Sequence, residues 1–366
     1  MKVLMLSKDV KIFEKGSAVR GRMVEYGRLF ERLHIIVISR GFFVNETLSE
    51  QVMVTHIRVG GILDSAWKAL AGIPADSFLD FDVITAQDPF ELGAIAHRIA
   101  QKLDIALQLQ VHTDIFSNCF THRNFKNVGR NLLARRYLSK ADCIRVVSQK
   151  IKNSLVQELK IPGEKIIVLP IFVDTQKIKE AKPILPKPFD FTVLWVGRLE
   201  KEKNCSLAID AFAQFARNVP NAGLVIAGEG SEKRSLELKV KSYKLEACVV
   251  FAGWRNDVAG YYKNADVLLA TSWYEGYGMQ MVEARIAGLP VIASDIGVAK
   301  EVGAYIAQHS PSSMANLLAQ LHALKLPKRQ EYQYPYQNKE DYLELYKQSF
   351  EQCLPAPLEN LKNAPK

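Results

Sequence analysis

Short apolar runs alternate with mixed segments along almost the whole chain. In the first half, Lys2–Leu6, Ile35–Ser39, Asp82–Thr85, Ala106–Val111, Cys143–Val147 and Ile166–Leu169 read as buried strands. Pro89–Leu103 and Asn124–Lys140 between them carry apolar residues at helical spacing. Three prolines in six residues (Pro183, Pro186, Pro188) then interrupt the pattern and predict a stiff linker, since proline fixes φ and removes a donor. A second series follows: strands at Phe191–Val196, Gly223–Ala227, Val249–Ala252, Val267–Ala270 and Val291–Ala293, with helices at Cys205–Arg217 and Met279–Ala287. Strand–helix alternation on both sides of a linker predicts an α/β protein of two doubly wound parallel-sheet domains facing a central cleft. The expected divisions are 1–182, a linker at 183–189, a second domain at 190–337, a C-terminal helix at 338–354 returning to the first domain, and a tail at 355–366. The helix is expected from the stripe Tyr342, Leu345, Tyr346 and Phe350, and the tail is expected to fray.

Composition sharpens this picture only in places. A length of 366 residues suits two domains, and 48% hydrophobic with 24% charged residues suits a packed core. No apolar run is long enough to cross a bilayer, and Lys8, Asp9 and Lys11 end the first apolar run too soon for a signal peptide. A cytoplasmic protein, able to sit on the cytosolic membrane face, is the expectation. Five scattered cysteines without a CxxC predict reduced thiols, and the seven histidines show no metal-ligand spacing. The net charge of +9 is uneven: 26 basic against 19 acidic residues up to Glu180, and 22 against 20 beyond it. Such a basic half suits an anionic surface or simply keeps the protein soluble.

Candidate chemistry gathers in the second half. Strand Phe191–Val196 runs into Gly197-Arg198-Leu199-Glu200-Lys201-Glu202-Lys203-Asn204. A glycine at the strand end lets a ligand approach the backbone, and Arg198 with Lys203 beside a helix start would clamp a diphosphate. The bland alternative is two solvated cations. After Val267–Ala270 comes Ser272-Trp273-Tyr274-Glu275-Gly276-Tyr277-Gly278-Met279-Gln280-Met281-Val282-Glu283. Eight residues separate Glu275 from Glu283 across a glycine-rich helix start, allowing up to about 12 Å between the carboxylates. That is too far for a glycosidase pair, which needs about 5–9.5 Å. It suits hydroxyls at the two ends of a long polar ligand whose diphosphate meets the amides of Tyr277, Gly278 and Met279.

At this point the sequence resembles the family-4, or group 1, retaining glycosyltransferases of the GT-B fold. The resemblance runs from Val193 to Glu301 through Gly197-Arg198-Leu199, Lys203-Asn204, Gly228-Glu229-Gly230, Phe251-Ala252-Gly253, Ala265-Asp266-Val267, Glu275-x7-Glu283 and Ala287-Gly288-Leu289-Pro290-Val291-Ile292. It implies two Rossmann-like domains and transfer of a sugar from a nucleotide-sugar donor (UDP-, GDP- or ADP-linked) to a hydroxyl acceptor, forming an α-linkage. Arg198 and Lys203 would stabilise the departing diphosphate, Glu275 would contact the transferred sugar, and Glu283 the ribose. His112 would face the reaction centre. Gly16, Gly197, Gly276 and the Tyr277–Met279 amides would lie against the donor, with the backbone near Arg255 meeting the nucleobase. Asp88 is a tentative acceptor ligand, its alternative being an ordinary turn and helix-start acid. No Asp-x-Asp element suits a metal, so no metal and no cofactor are expected, and nucleic acid is not an expected partner.

The acceptor is open between a glycan, a lipid-linked molecule and a small molecule. The stretch His122–Leu138 mixes basic residues with an apolar stripe and would suit an anionic membrane surface; if it is instead an ordinary packing helix, Phe125, Leu132, Leu133 and Tyr137 belong to the core. Two rival functions are a catalytically silent nucleotide-sugar-binding protein and a Rossmann-type oxidoreductase. The second lacks a GxGxxG after the first strand. The loop after Val291–Ala293, reading Ile296-Gly297-Val298-Ala299-Lys300-Glu301, lacks the paired glycines common in the family and is short through Ala304.

Overall fold

The computed structural model describes residues 1–60, 80–121, 125–184, 187, 189–326 and 331–355. Residues 122–124, most of the prolines of the linker and the tail from 356 lie outside them. Two compact units emerge. One comprises Met1–Val147, Ile151–Leu169 and the segment from Glu340; the other comprises Ser148–Lys150 and Pro170–Lys339.

The first unit is built on eight strands: β1 (Lys2–Ser7), β2 (Arg32–Ser39), β3 (Glu46–Ser49), β4 (Val52–Arg58), β5 (Val83–Ala86), β6 (Ala106–Val111), β7 (Cys143–Val146) and β8 (Ile166–Val168). Their order is β3-β4-β2-β1-β5-β6-β7-β8, parallel except for the β3–β4 pair. Val3, Leu4, Met5 and Leu6 are fully buried, as are Ile35, Ile36 and Val37. Helices on both faces of a parallel sheet require such continuous apolar runs. Edge strand β3 and its neighbour β4 instead mix polar with apolar residues, and no buried run announces them. Helix α1 (Ala18–Gly27) starts where Ser17 Oγ accepts the Arg20 amide at 3.1 Å, and α2 (Glu91–Leu103) follows β5. Helix α3 (Phe125–Leu138) lies in the β6–β7 connection, and α4 (Gln149–Leu159) in the β7–β8 connection.

The second unit holds α5 (Thr175–Glu180) and six strands: β9 (Phe191–Val196), β10 (Ala222–Ala227), β11 (Val249–Gly253), β12 (Val267–Ala270), β13 (Val291–Ala293) and β14 (Tyr305–Ile306). All pair in parallel in the order β11-β10-β9-β12-β13-β14. Helices α6 (Cys205–Ala216), α7 (Lys233–Ser242), α8 (Ala259–Asn264), α9 (Met279–Ile286) and α10 (Pro311–His322) form the crossovers and the outer layer. Phe212 and Phe215 of α6 and Met314 and Leu318 of α10 pack with Val193, Trp195, Leu224 and Ile226 into one core. Each sheet reverses its strand order once, between β1 and β5 and between β9 and β12. Connections leave in opposite directions at such a point and open a crevice beyond the strand ends, where ligands of open α/β sheets bind.

The last helix, α11 (Lys339–Glu351), packs on the first unit. Tyr346 stacks on Tyr26 with centroids 4.1 Å apart, Tyr342 and Tyr26 share a hydrogen bond of 2.8 Å, and Phe350 meets Phe30 edge-on at 5.1 Å. The same docking corrects the expectation of reduced thiols. Cys353 is joined to Cys143 of β7 in a disulfide with Cα atoms 5.1 Å apart, across 210 residues of sequence. Scattered spacing carried no sign of this pair because only the returning helix brings the two together. Cys205 and Cys248 are free.

Candidate active site

In the second unit Lys203 and Glu275 meet at the β9/β12 switch point. Lys203 Nζ, on the loop after β9, donates to Glu275 Oε1, on the loop after β12, at 2.6 Å. The same oxygen accepts Ser272 Oγ at 2.7 Å and Gln280 Nε2 at 3.1 Å. Glu275 Oε2 has no hydrogen-bond partner among the described residues. The two loops are pinned from beneath: Trp195 Nε1 donates to Thr271 Oγ1 at 3.0 Å, and Thr271 Oγ1 donates to the Asn204 carbonyl at 2.9 Å. Arg198 is different. Its side chain is 61% exposed and rests on Glu202 at 3.0 Å, a surface pair worth at most about 1 kcal/mol and easily exchanged for a stronger anion.

The glycine turns make room at this point. A Cβ on Gly228, at the end of β10, would collide with the Gly197 carbonyl at the end of β9, so the two strand ends come this close only with glycine at 228. Gly278 adopts φ +95° and precedes α9 with no side chain capping the helix. The first amides of α9 therefore keep their attraction for an anion. Gly276 sits in the same turn. The side chain of Tyr277 is a core group at 4% exposure, so a ligand role there falls to its backbone. Met279 is exposed.

Glu283 lies one turn into α9, largely buried, and accepts Tyr262 Oη at 2.7 Å. Burial pushes its carboxyl above the usual carboxylate range, while the Tyr262 bond and Lys177 pull the other way. A buried carboxylate with a single neutral donor is short of partners, which suits a ligand supplying hydroxyls. Arg255 lines a cavity of about 200 Å³ with Leu194, Val225, Val250, Ala252 and Tyr261, over β9, β10 and β11.

In the first unit Gly16 adopts φ +81° directly before α1, with open space where a side chain would stand. Asp88 is fully engaged: Oδ1 accepts the amides of Phe90 at 2.9 Å and Leu92 at 3.4 Å, and Oδ2 accepts Lys8 Nζ at 3.0 Å. These are the bonds of a helix-start acid. His112 follows β6, its ring open to solvent on one side, with Nε2 3.2 Å from Gln110 Oε1. Surrounding protein, then the cations Arg145 and Arg22, push its pKa down to about 3 and keep it neutral.

Helix α3 is patterned inside out. Asn127 and Asn131 face inward, donating to the carbonyls of Phe120 at 2.7 Å and Ile115 at 2.9 Å. Phe125, Val128 and Leu132, at i, i+3 and i+7, stand 96%, 45% and 65% exposed. Of the residues assigned to the core if this were an ordinary packing helix, Tyr137 is buried, whereas Phe125 and Leu132 face solvent. No described helix is long and apolar enough to cross a membrane.

The roles of several contributors could not be assigned from the sequence. Ser272 and Gln280 stand in the Glu275 stretch and Gln110 stands two residues before His112, but nothing in the sequence marks them as partners of those groups, and Tyr262, the partner of Glu283, stands in no motif. Gly297 did carry a signal, as a lone glycine after a strand. It adopts φ +46°, and a Cβ there would stand 2.9 Å from Glu275 Cβ. The short loop after β13 thus packs its backbone against the Glu275 turn.

Two doubly wound parallel-sheet units, the second with cations, a carboxylate and an uncapped helix start at its switch point, define the GT-B glycosyltransferase class. Residues 176–340 match the glycosyl transferases group 1 model and residues 49–177 match the glycosyltransferase family 4 model. The chain belongs to this family. Alpha-monoglucosyldiacylglycerol synthase of Acholeplasma laidlawii is 26% identical over 236 residues, 58% of this chain and 58% of that protein. UDP-Gal:alpha-D-GlcNAc-diphosphoundecaprenol alpha-1,3-galactosyltransferase of Escherichia coli is 31% identical over 156 residues, 40% of each chain. The matches thus span 40% to 58% of these relatives' lengths. Among solved structures, Anabaena Alr3699/HepE in complex with UDP superposes with a TM-score of 0.66 at 20% identity, covering 88% of this chain and 90% of that one. These matches set the oxidoreductase alternative aside.

Proposed function

We propose that the chain is a retaining glycosyltransferase that moves a sugar from a nucleotide-sugar donor to a hydroxyl acceptor and forms an α-linkage. The observation that carries this reading is the Lys203–Glu275 pair bridging the β9/β12 switch point, beside Arg198 and the uncapped start of α9. Charge that develops on the departing diphosphate would be met by Arg198, Lys203 and the α9 amides, which are in place before reaction. Glu275 Oε2 would accept a hydroxyl of the transferred sugar, and Glu283 the ribose hydroxyls. His112 would contact the transferred sugar. The leaving phosphate would help to deprotonate the acceptor, and no metal is required because the cations are side chains.

Relatives named for alpha-linked products, one with a UDP-sugar and a lipid-linked acceptor in its name, support the α-linkage, UDP as donor base and a lipid acceptor. Exposed Phe125, Val128 and Leu132 stand on a helix with four basic residues and no acidic one, which supports contact with an anionic membrane surface. Donor hydrolysis across UDP-, GDP- and ADP-sugars, with and without EDTA, tests the chemistry before an acceptor is known. Turnover of one donor is expected, unchanged by EDTA and reduced on the order of 10²-fold in Arg198→Ala and Lys203→Ala. Nucleotide-sugar binding without any turnover would favour the silent binding protein, and near-normal turnover in both variants would overturn the assignment of the cations.

A further inference from the structure

We propose that Gln110, itself oriented by Arg145, is the positioning residue that fixes the tautomer and ring direction of His112 so that Nδ1 faces the sugar as a hydrogen-bond acceptor. The inference rests on the proposal that His112 contacts the transferred sugar. Its logic starts from donors that have no alternative. The buried guanidinium of Arg145, on β7, can only donate. Its Nη1 donates to Gln110 Oε1 at 3.0 Å, its Nη2 to Tyr342 Oη at 3.4 Å, and its carbon lies 4.9 Å from the Tyr346 ring centroid. Gln110 must therefore present its carbonyl to Arg145. Its amide nitrogen then donates to Thr85 Oγ1 at 3.0 Å, Thr85 Oγ1 donates to Gln108 Oε1 at 3.0 Å, and Gln108 Nε2 donates to the Ser349 carbonyl at 2.8 Å.

Every direction in this chain of bonds is set, from the backbone of α11 through β6 and β5 to Gln110. His112 Nε2 approaches the same Oε1 at 3.2 Å, and an oxygen that accepts from Arg145 can only accept again. Nε2 therefore carries the proton, and in the neutral ring Nδ1 carries the lone pair. Gln110 rather than a carboxylate suits this task. The charged and titratable groups facing the pair are Arg145 from β7, Arg22 from α1, and Tyr342 and Tyr346 from α11. None is a carboxylate, so nothing draws a second proton onto the ring.

Nitrogen-15 NMR of histidine-labelled protein, with the His112 signals assigned by their loss in His112→Gln, reads the tautomer directly. The wild type is expected to show Nε2–H and unprotonated Nδ1 across neutral pH. Gln110→Glu keeps the acceptor and adds a charge, so the His112 titration should move upward and turnover should fall as pH drops through it, with donor KM within about twofold. Gln110→Leu removes the acceptor and is expected to mix the tautomers and lower kcat on the order of 10-fold or more. An Nδ1–H wild-type ring, or a Gln110→Glu protein with unmoved titration and turnover, would overturn the positioning role while leaving His112 itself in place. Full turnover in His112→Ala would instead remove the assignment of His112 to the sugar.

Discussion

Glu283 shows how a single side chain can be placed for a ligand at the expense of the unliganded fold. Its carboxyl is pushed up by burial, with Tyr262 as the hydrogen-bond donor. For an acid raised in the folded state, stability declines as pH rises from the unfolded pKa through the folded one, because the unfolded chain gives up its proton first. At pH 7 the charged form is therefore a burden. Glu283→Gln keeps the Tyr262 bond and removes the charge, so its Tm at pH 7 should rise, by about 2–4 °C for each kcal/mol relieved. Nucleotide affinity measured by calorimetry should fall in the same variant. A Tm that drops, or unchanged affinity, would mean that Glu283 is only a structural partner of Tyr262. The residue scale is also where sequence reasoning reached furthest: Arg198, Lys203, Glu275 and Glu283 stand in motifs whose spacing follows the strand–loop–helix geometry. Ser272 and Gln280 stand in the same stretch without a readable role, and Tyr262 lies outside it, because a hydrogen-bond partner needs only to be near in space.

At the scale of elements, α3 separates two readings that its sequence left open. An amphipathic basic helix can pack its apolar side inward or outward, and the pattern alone is the same for both. The structure turns Asn127 and Asn131 inward and finds them carbonyl partners, so the apolar ridge faces out. Replacing Phe125 and Leu132 together by Ser should abolish co-sedimentation with vesicles containing anionic lipid. The Tm should change by less than about 2 °C, since these side chains bury little in the free protein. Salt-insensitive or absent binding of the wild type would remove the membrane proposal. Strands β3 and β4 illustrate the opposite failure. Buried parallel strands announce themselves as apolar runs, whereas an edge pair of half-polar strands looks like loop.

Across the whole molecule, pH is predicted to act through His34, a buried histidine held neutral. Burial, and then the Arg32 cation, push His34 down to about 4. For a base depressed in the folded state, the unfolded chain binds protons first, so stability is lost as pH falls below about 6.5. His34, within the sheet and bonded to Thr55 at 2.8 Å, should account for on the order of 1 kcal/mol per pH unit between about 6 and 4.5. His34→Gln should flatten the fall in Tm over that window, and an equal fall in both proteins would exclude this origin.

The sequence by itself determined the alternation of elements, most of the buried strands and the family, because parallel strands need continuous apolar runs and diphosphate sites need glycines and cations at strand ends. Only the tertiary structure decided which residues share a hydrogen bond. It joined Cys143 to Cys353, turned the apolar face of α3 outward, bonded Asp88 to the Phe90 and Leu92 amides, and set Gln110 between Arg145 and His112. The physical reason is the same in each case. Periodicity and motif spacing report what a segment does locally, while the partners of a polar side chain are set by strand order and by the docking of helices distant in sequence.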